Sequence, residues 1–238
     1  MTKLKFAYLS AENPKNKKVW SGTHYSIYNA LQSIGDVIVL GPYEPKARVF
    51  ISKVLNQIYL RCFNKRISYR HSKLVSKGYA NYFNEKLKNQ TFDFIIAPAA
   101  SCEIAFIKTI IPVIYITDGT FAGCLGYHKS LTNLTSKSIE EGNLIEQLAI
   151  TKSKTIIVSS QWAADSVKND YKKNESDIKI IPYGANFENT PSNNELNFDI
   201  PKTWKLFFVG VYWETKGGDI AYNAFKTLID KGYDVELT

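Results

Sequence analysis

Two short segments of the chain place glycine and lysine where a helical pattern begins. Gly22, in WSGTHYSIYNAL (20–31), opens one pattern, and its missing side chain lets a ligand come close to the backbone. Lys216 stands directly before Gly217 at the start of another, in LFFVGVYWETKGGDIAYNAF (206–225). Because the free N–H groups of a helix N-terminus attract anions, both segments suit a phosphate or diphosphate group.

The elements that must position these residues are predicted from short apolar runs. Six runs of Ile, Val and aromatic residues with little polar alternation suit strands buried on both faces of a parallel sheet. They are KFAYL (5–9), DVIVL (36–40), FDFIIA (92–97), PVIYIT (112–117), KTIIVS (154–159) and IKIIP (178–182). Helical patterns fill the gaps, for example from Ser21-Gly22 to Gly35 and after Ser159-Ser160. The alternation predicts an α/β fold, a Rossmann-like doubly wound parallel sheet.

The end of the chain predicts a second domain. Residues 1–185 form the expected first domain, and the polar, proline-containing segment 186–203 reads as a linker. Residues 204–238 contain a strand at LFFVG (206–210), a helix and a strand at YDVELT, the first βαβ unit of another Rossmann-like domain. A unit of about 35 residues cannot bury its own core. We therefore expect the chain to be part of a longer protein, and its open edge to favour self-association.

Composition narrows the class of protein. With 45% hydrophobic and 22% charged residues, the chain is not of the disordered or fibrous kind. Its three cysteines (Cys62, Cys102 and Cys124) make neither a disulfide framework nor a metal-ligand spacing. The sequence has no signal-peptide pattern and no apolar run long enough to span a membrane, so it predicts a cytoplasmic protein. It has no GxGxxG pattern either, so no dinucleotide cofactor is expected.

Positive charge is concentrated between residues 45 and 89. This stretch holds eleven lysines and arginines against one acid, Glu85, and so carries +10 when the whole chain carries +8. Apolar residues repeat within it at helical spacing, from Val49 to Leu60. Two interpretations stay open: an ordinary solvated helix face, or docking to an anionic acceptor or membrane surface on the inner face of the membrane. The candidate residues are Arg48, Lys53, Arg61, Lys65 and Arg66. No nucleic-acid motif accompanies the charge, so nucleic acid is not an expected partner.

The order of the motifs resembles a known family. An early glycine turn, a V-S strand and helix (158–171), a Pro-x-Gly strand end (182–184) and a Phe-Val-Gly with lysine six residues later follow each other. In this order the chain resembles the first part of a retaining GT-B glycosyltransferase of family 4 (group 1-like). The resemblance covers nearly the whole chain.

The resemblance implies roles for individual residues. Gly22, Lys216 and Gly217 would face the diphosphate of a nucleotide-sugar donor, with Lys216 stabilising charge on the leaving group. Asp118, in YITDGTF, falls where the family places a His or His-Asp pair near the reacting sugar, and Thr117 matches that position equally well. From the residues alone, Asp118 is equally a turn or cap residue before Gly119. Lone histidines such as His24 and His128 are interpreted as loop residues.

The implied activity is that of a hexosyltransferase. Such an enzyme moves a sugar, with retention and without a metal, to a glycan or glycolipid acceptor in surface polysaccharide biosynthesis. The chain departs from the family at Val211, where an arginine is usual, and it lacks the paired glutamates of the second domain. We therefore expect this chain alone to be inactive. The alternatives are a non-catalytic truncated GT-B binding or scaffold module, or another GT-B enzyme such as a sugar-nucleotide epimerase.

Overall fold

A computed structural model describes residues 3–88, 90–186, 192 and 200–238. Contacts divide the chain into two compact units, Met1–Asn186 (unit 1) and Phe187–Thr238 (unit 2). Most of the expected linker, 186–203, lies outside the described residues. Among those that are described, no helix combines the length and the apolar character needed to cross a membrane.

Unit 1 is an α/β structure, as predicted. Its strands are β1 (Leu4–Tyr8), β2 (Gly35–Val39), β3 (Phe94–Pro98), β4 (Val113–Thr117), β5 (Ser153–Val158) and β6 (Ile178–Ile180). Its α-helices are α1 (Thr23–Ile34), α2 (Lys46–Phe63), α3 (Lys73–Leu87), α4 (Ser101–Ile104), α5 (Phe121–Cys124), α6 (Ser136–Lys152) and α7 (Gln161–Asn169). All six strands are parallel, in the order β2-β1-β3-β4-β5-β6.

The sheet has a core on each face because successive strand residues point to opposite sides. In β3, Ile95 and Ala97 belong to the larger core, to which α3, α4, α6 and α7 contribute. Ile96 points the other way, into a smaller core that Ile27 and Leu31 of α1 cover. The continuous apolar run of β3 therefore reflects a strand that is covered on both faces, whereas Ile180 of the edge strand β6 is exposed.

Local signals set the helix ends that bear on the site. Gly35 ends α1, and its N–H donates to the carbonyl of Leu31. At α7 the hydroxyl of Ser160 accepts a hydrogen bond from the N–H of Ala163, which satisfies one free donor of the first turn. Both ends confirm the boundaries that the sequence predicts.

Helix α2 exposes most of its apolar residues. The predicted helical spacing from Val49 to Leu60 is confirmed, but only Val49 and Ser52 of this helix are buried. Phe50, Ile51 and Val54 are exposed instead. Periodicity shows that apolar residues share one side of a helix, but it does not show whether that side meets the core.

Unit 2 consists of β7 (Trp204–Leu206), α8 (Gly218–Asp230) and β8 (Val235–Leu237), with β7 and β8 parallel. The strand predicted at 206–210 lies two residues too late in the chain, because the paired strand starts at Trp204. Hydrogen bonds to the chain end continue the pairing as far as Phe208, whose N–H donates to the carbonyl of Thr238 at 2.8 Å. Beyond Phe208 the segment has no strand partner among the described residues.

We expect Ile156→Ala to lower the free energy of unfolding by about 2–5 kcal/mol, because it leaves a cavity in the larger core. Ile156 lies in β5 and is fully buried. The control is Ile110→Ala at a fully exposed position, which should change the value by less than about 0.5 kcal/mol. Urea unfolding followed by circular dichroism measures both, and equal losses would contradict the assigned core.

Candidate functional site

A cavity of about 670 Å³ opens in unit 1 where β1, β2 and β3 end. We call it the carboxyl-edge cavity. Its wall includes Ser10 and Glu12 after β1, Tyr43 and Glu44 after β2, and Glu103 after β3. β1 lies between β2 and β3 in the sheet. The connection from β1 to β2 therefore runs in one direction across the sheet, and the connection from β2 to β3 runs back past β1 in the other. Open parallel sheets bind ligands at such a switch point.

Two residues of the cavity wall hold strained backbone conformations. Trp20 (φ 48°) and Ala99 (φ 48°) are both in the left-handed region, which side chains other than glycine rarely adopt. Ala99 directs the chain from β3 into the short helix α4, where Glu103 lies. Strain of this kind costs about 1–3 kcal/mol per residue and is concentrated at functional sites, which marks the cavity as a candidate site.

Glu103 is a buried carboxylate in the cavity wall. It is 8% exposed, and burial raises its pKa to about 7. Hydrogen bonds from its own backbone N–H and from that of Ala11 act in the opposite direction, as does the charge of Arg70. A carboxyl group that titrates near neutral pH either donates or accepts a hydrogen bond, depending on its proton.

The described wall of the cavity is acidic. Its carboxylates belong to Glu12, Glu44 and Glu103, and its permanent cation is Arg70. The wall also contains His71, whose pKa is lowered to about 4 by burial and by the neighbouring Arg70, so its ring is neutral at pH 7. Hydroxyl groups of a ligand can donate to these carboxylates, whereas phosphate groups would meet repulsion.

Two tyrosines of the cavity wall belong to a group of three packed tyrosine rings. Tyr43 stacks on Tyr82, with ring centroids 3.8 Å apart, and meets the edge of Tyr79 at 6.3 Å. Tyr43 and Tyr79 line the cavity. Rings packed in this way are held rigidly and offer an apolar surface beside the carboxylates.

Trp20 connects the cavity to Asp118. Its indole N–H donates to the Asp118 carboxylate at 3.1 Å, while its ring lies 5.5 Å from His24 and 5.3 Å from Tyr183. We call Trp20, His24, Asp118 and Tyr183 the Trp20 cluster. The cluster joins the segments that follow β1, β4 and β6. Among the described residues the Tyr183 hydroxyl is buried without a hydrogen-bond partner.

His24 is not the loop residue that the sequence suggested, because it lies buried in the first turn of α1. Its Nδ1 and the hydroxyl of Tyr8 are 2.8 Å apart and hydrogen-bonded. Burial lowers the pKa of His24 to about 4 and raises that of Tyr8, so both are neutral at pH 7. Sequence spacing carries no signal for this pair, because Tyr8 lies on a different element.

Gly22 is placed at the start of α1, as predicted, but it is buried. Its φ is +88°, a conformation that favours glycine, and an added Cβ would lie 3.2 Å from the Cβ of Asn186. Asn186 is itself held there, since its amide donates to the carbonyl of Ser21 at 2.7 Å and accepts from the Ser26 hydroxyl at 2.7 Å. The turn before α1 is thus bound to the segment after β6.

A second cavity, of about 370 Å³, lies on the other side of Asp118. Tyr127 and Trp162 line it, with their rings 5.9 Å apart. Cys124 also lines it, and burial together with the nearby Asp118 raises the pKa of this thiol to about 11. The thiol is therefore protonated at pH 7.

In unit 2, Lys216 and Gly217 lie together at the start of α8. Gly217 adopts a left-handed conformation (φ 75°) at the N-cap. A Cβ on Gly210 would lie 2.8 Å from the Cβ of Lys216, so the Phe-Val-Gly glycine leaves room for the lysine stem. The nearby Asp219 accepts a hydrogen bond from the indole N–H of Trp213 at 2.9 Å.

The five basic candidates lie on α2 and the turn after it. Arg48 lines neither the carboxyl-edge cavity nor that beside Asp118, and its guanidinium donates to the carbonyl of Leu74 at 3.0 Å. The Lys53 ammonium lies 5.4 Å from the ring centre of Tyr69. Arg61 and Lys65 are exposed, and Arg66 pairs through its backbone with the segment at Asn133 and Leu134.

No model of a known protein family matches the chain, and no curated protein matches its sequence. The resemblance to a glycosyltransferase therefore rests on the quoted motifs. In the part of the chain that the structure describes, no three His, Cys, Asp or Glu side chains are grouped to hold a metal ion.

We expect Glu103→Gln to remove a pH dependence of stability. The folded protein binds this proton more tightly than the unfolded chain, because the pKa rises from 4.5 to about 7. The contribution of Glu103 to the free energy of unfolding therefore falls as pH rises through this window, and it stays low above pH 7. Between pH 4.5 and about pH 7, the free energy of unfolding of Glu103→Gln should therefore rise by about 1–3 kcal/mol relative to that of wild type.

Urea unfolding of both proteins at several pH values measures this difference. The control is Glu85→Gln, which removes an exposed salt bridge to Lys88. The difference in free energy of unfolding between this variant and wild type should change by less than about 0.5 kcal/mol over the same pH range. Parallel curves for Glu103→Gln and wild type would show that Glu103 is not held as described.

We also expect Gly22→Ala to destabilise unit 1 more than Gly126→Ala does. Both glycines have positive φ, but an added Cβ at Gly126 meets nothing within 4 Å. Gly126→Ala should therefore lower the free energy of unfolding by about 1–2 kcal/mol, because of its backbone conformation alone. Gly22→Ala should cost more, because it also displaces Asn186 from its two hydrogen bonds. Thermal unfolding compares the two, and equal losses would contradict the contact with Asn186.

Proposed function

We propose that unit 1 is the acceptor-binding part of a retaining glycosyltransferase that transfers a sugar from a nucleotide-sugar to a glycan or glycolipid, in surface polysaccharide biosynthesis in the cytoplasm. The observation that carries this proposal is the carboxyl-edge cavity, in which buried and exposed carboxylates stand beside fixed tyrosine rings. Sugars combine hydroxyl donors with apolar C–H faces, and both parts find partners in such a wall.

The cavity is better suited to an acceptor than to a donor. Its volume of about 670 Å³ falls in the range of small-molecule sites. Three glutamates against Arg70 would repel the diphosphate of a nucleotide-sugar, and the segment after β1 lacks the glycine-rich pattern that binds dinucleotides. A neutral, hydroxyl-rich ligand meets neither obstacle.

The donor phosphates are assigned to unit 2. Lys216 is exposed beside the N-terminus of a 13-residue helix, and both the lysine charge and the helix N–H groups favour an anion. Trp213 engages the acidic Asp219 of the first turn, which reduces its competition with a bound phosphate. Gly22 belongs to the same proposed function, but its backbone is covered by Asn186 in this structure.

In the proposed reaction an acceptor hydroxyl oxygen bonds to the anomeric carbon of the donor sugar. The bond from that carbon to the diphosphate breaks on the same face, and the acceptor proton passes to the departing phosphate oxygen. Lys216 stabilises the charge on the diphosphate. Asp118 is exposed and held in place by the Trp20 indole, so that its carboxylate accepts a hydroxyl of the reacting sugar.

A non-catalytic saccharide-binding module is the second candidate. It is favoured by Val211, which stands where the family's arginine would help Lys216 hold the phosphates. Such a module would keep the carboxyl-edge cavity and bind saccharides without using Lys216. The two candidates therefore differ in whether the lysine matters.

The test is transfer of labelled sugar from a panel of nucleotide-sugars to saccharide acceptors by the purified natural gene product. We expect Lys216→Ala to lower the transfer rate at least about tenfold, because it removes a charge from the leaving group. Lys226→Ala, an exposed lysine elsewhere on α8, should change the rate by less than about twofold.

The outcomes separate the candidates. Saccharide binding by wild type without transfer from any donor would favour the binding module. Transfer that survives Lys216→Ala would overturn the role of that lysine. If the protein showed no transfer and no saccharide binding, the proposed function would be overturned altogether.

A further inference from the structure

Helix α2 carries a continuous apolar surface that faces away from unit 1. We call it the α2 outer face, and it consists of Phe50, Ile51, Val54, Leu55 and Ile58, each between 42% and 68% exposed. Their spacing places them within about 140° of one another around the helix axis. Five large apolar side chains side by side form a patch of the kind that marks an interaction site in monomeric proteins.

The opposite face of α2 fixes this orientation. Val49 is buried, and the hydroxyls of Ser52 and Ser72 are 3.3 Å apart. The side-chain oxygen of Asn56 accepts a hydrogen bond from the N–H of Ile67 at 2.8 Å. Because these contacts hold one side of the helix on unit 1, the apolar side has to point outward.

Basic residues border the α2 outer face. By helical spacing, Lys46 and Lys53 lie along one border, Arg48 lies along the other, and Arg61 follows Ile58 by one turn. Lys46 and Arg61 are exposed, whereas Arg48 contacts the Leu74 carbonyl and Lys53 the Tyr69 ring. Helix α2 contains no acidic residue, and the stretch 45–89 carries +10. The charged residues of α2 itself are therefore all positive.

We propose that α2 docks unit 1 on an anionic lipid bilayer, with the α2 outer face among the acyl chains near the headgroups and the bordering cations on lipid phosphates. An interfacial helix combines an apolar face with Lys and Arg at its polar border, as α2 does. A second copy of the chain would match the apolar patch but would bring the same cations face to face. A bilayer with anionic lipids matches both the apolar residues and the charge.

Docking through α2 would also place the carboxyl-edge cavity near the lipid. Val49 lines that cavity from α2 and directly precedes Phe50 of the outer face. An acceptor carried on a lipid would then reach the cavity from the membrane surface. This extension alone rests on the proposed function, whereas docking itself is tested without any transfer assay.

The test is co-sedimentation of the full chain with two kinds of vesicle, phosphatidylcholine alone and phosphatidylcholine with about one third phosphatidylglycerol. We expect binding to the anionic vesicles that weakens at high salt, because screening reduces the attraction of exposed cations. The double variant Phe50→Ser/Val54→Ser should bind them at least about tenfold more weakly, because it removes two inserted apolar side chains.

The matched control is Ile34→Ser/Ile110→Ser, which changes two exposed isoleucines outside α2. It should alter vesicle binding by less than about twofold. A second variant, Lys46→Gln/Arg61→Gln, should weaken binding to anionic vesicles about fivefold or more without changing the apolar patch. Circular dichroism verifies that each variant is folded, which these exposed positions favour.

Phe50→Trp gives a direct readout of insertion. Its added tryptophan emission should shift to the blue on anionic vesicles and stay unshifted in buffer. Three results would overturn the proposal: no binding to anionic vesicles, equal weakening by the Ile34→Ser/Ile110→Ser control, or a stable dimer in sedimentation equilibrium that Phe50→Ser/Val54→Ser dissociates. The last result would assign the α2 outer face to a second copy.

Discussion

The parallel pairing of the six strands of unit 1 is the constraint on which the other features depend. Parallel strands can be joined only by crossovers, and those crossovers cover both faces of the sheet. All the strands then end at one edge, where the segments after β1, β2 and β3 meet around the carboxyl-edge cavity. Residues as distant in sequence as Glu12 and Glu103 come together for this reason.

Unit 1 separates two kinds of charge. The carboxyl-edge cavity is lined by three glutamates, although the chain as a whole is basic, and the excess positive charge falls in residues 45–89, which include α2. Both proposals rest on this distribution: a neutral, hydroxyl-rich ligand for the cavity and an anionic surface beside α2. The buried Glu103 destabilises the folded protein when it is ionised, because its charge is poorly solvated.

The sequence predicted the regular part of this structure well. Each of the six apolar runs corresponds to a strand, and α1 ends at Gly35 as its glycine suggested. The sequence did not predict which side of α2 faces outward, since periodicity alone does not distinguish a core from a surface. The strand at 206–210 was misplaced because the partner strand, rather than the apolar run, decides where pairing begins.

The site was less accessible from the sequence than the fold. The roles of Gly22, Asp118 and Lys216 come from the motifs and the resemblance and stay predictions. Trp20, His24 and Glu103 carried no local signal for the places they take in the structure. Trp20 is recognised by its left-handed backbone and by its hydrogen bond across 98 residues to Asp118. Glu103 matters because burial shifts its titration, and burial is a property of the assembled unit.

The hydrogen bond from the Trp20 indole to Asp118 links the two cavities. Its ring lines the carboxyl-edge cavity, and its N–H occupies the carboxylate of Asp118, which lines the second cavity. A ligand in the second cavity that takes this carboxylate competes with the indole and thereby alters the wall of the first. Occupancies of the two cavities are then coupled, and the coupling free energy is the same in both directions.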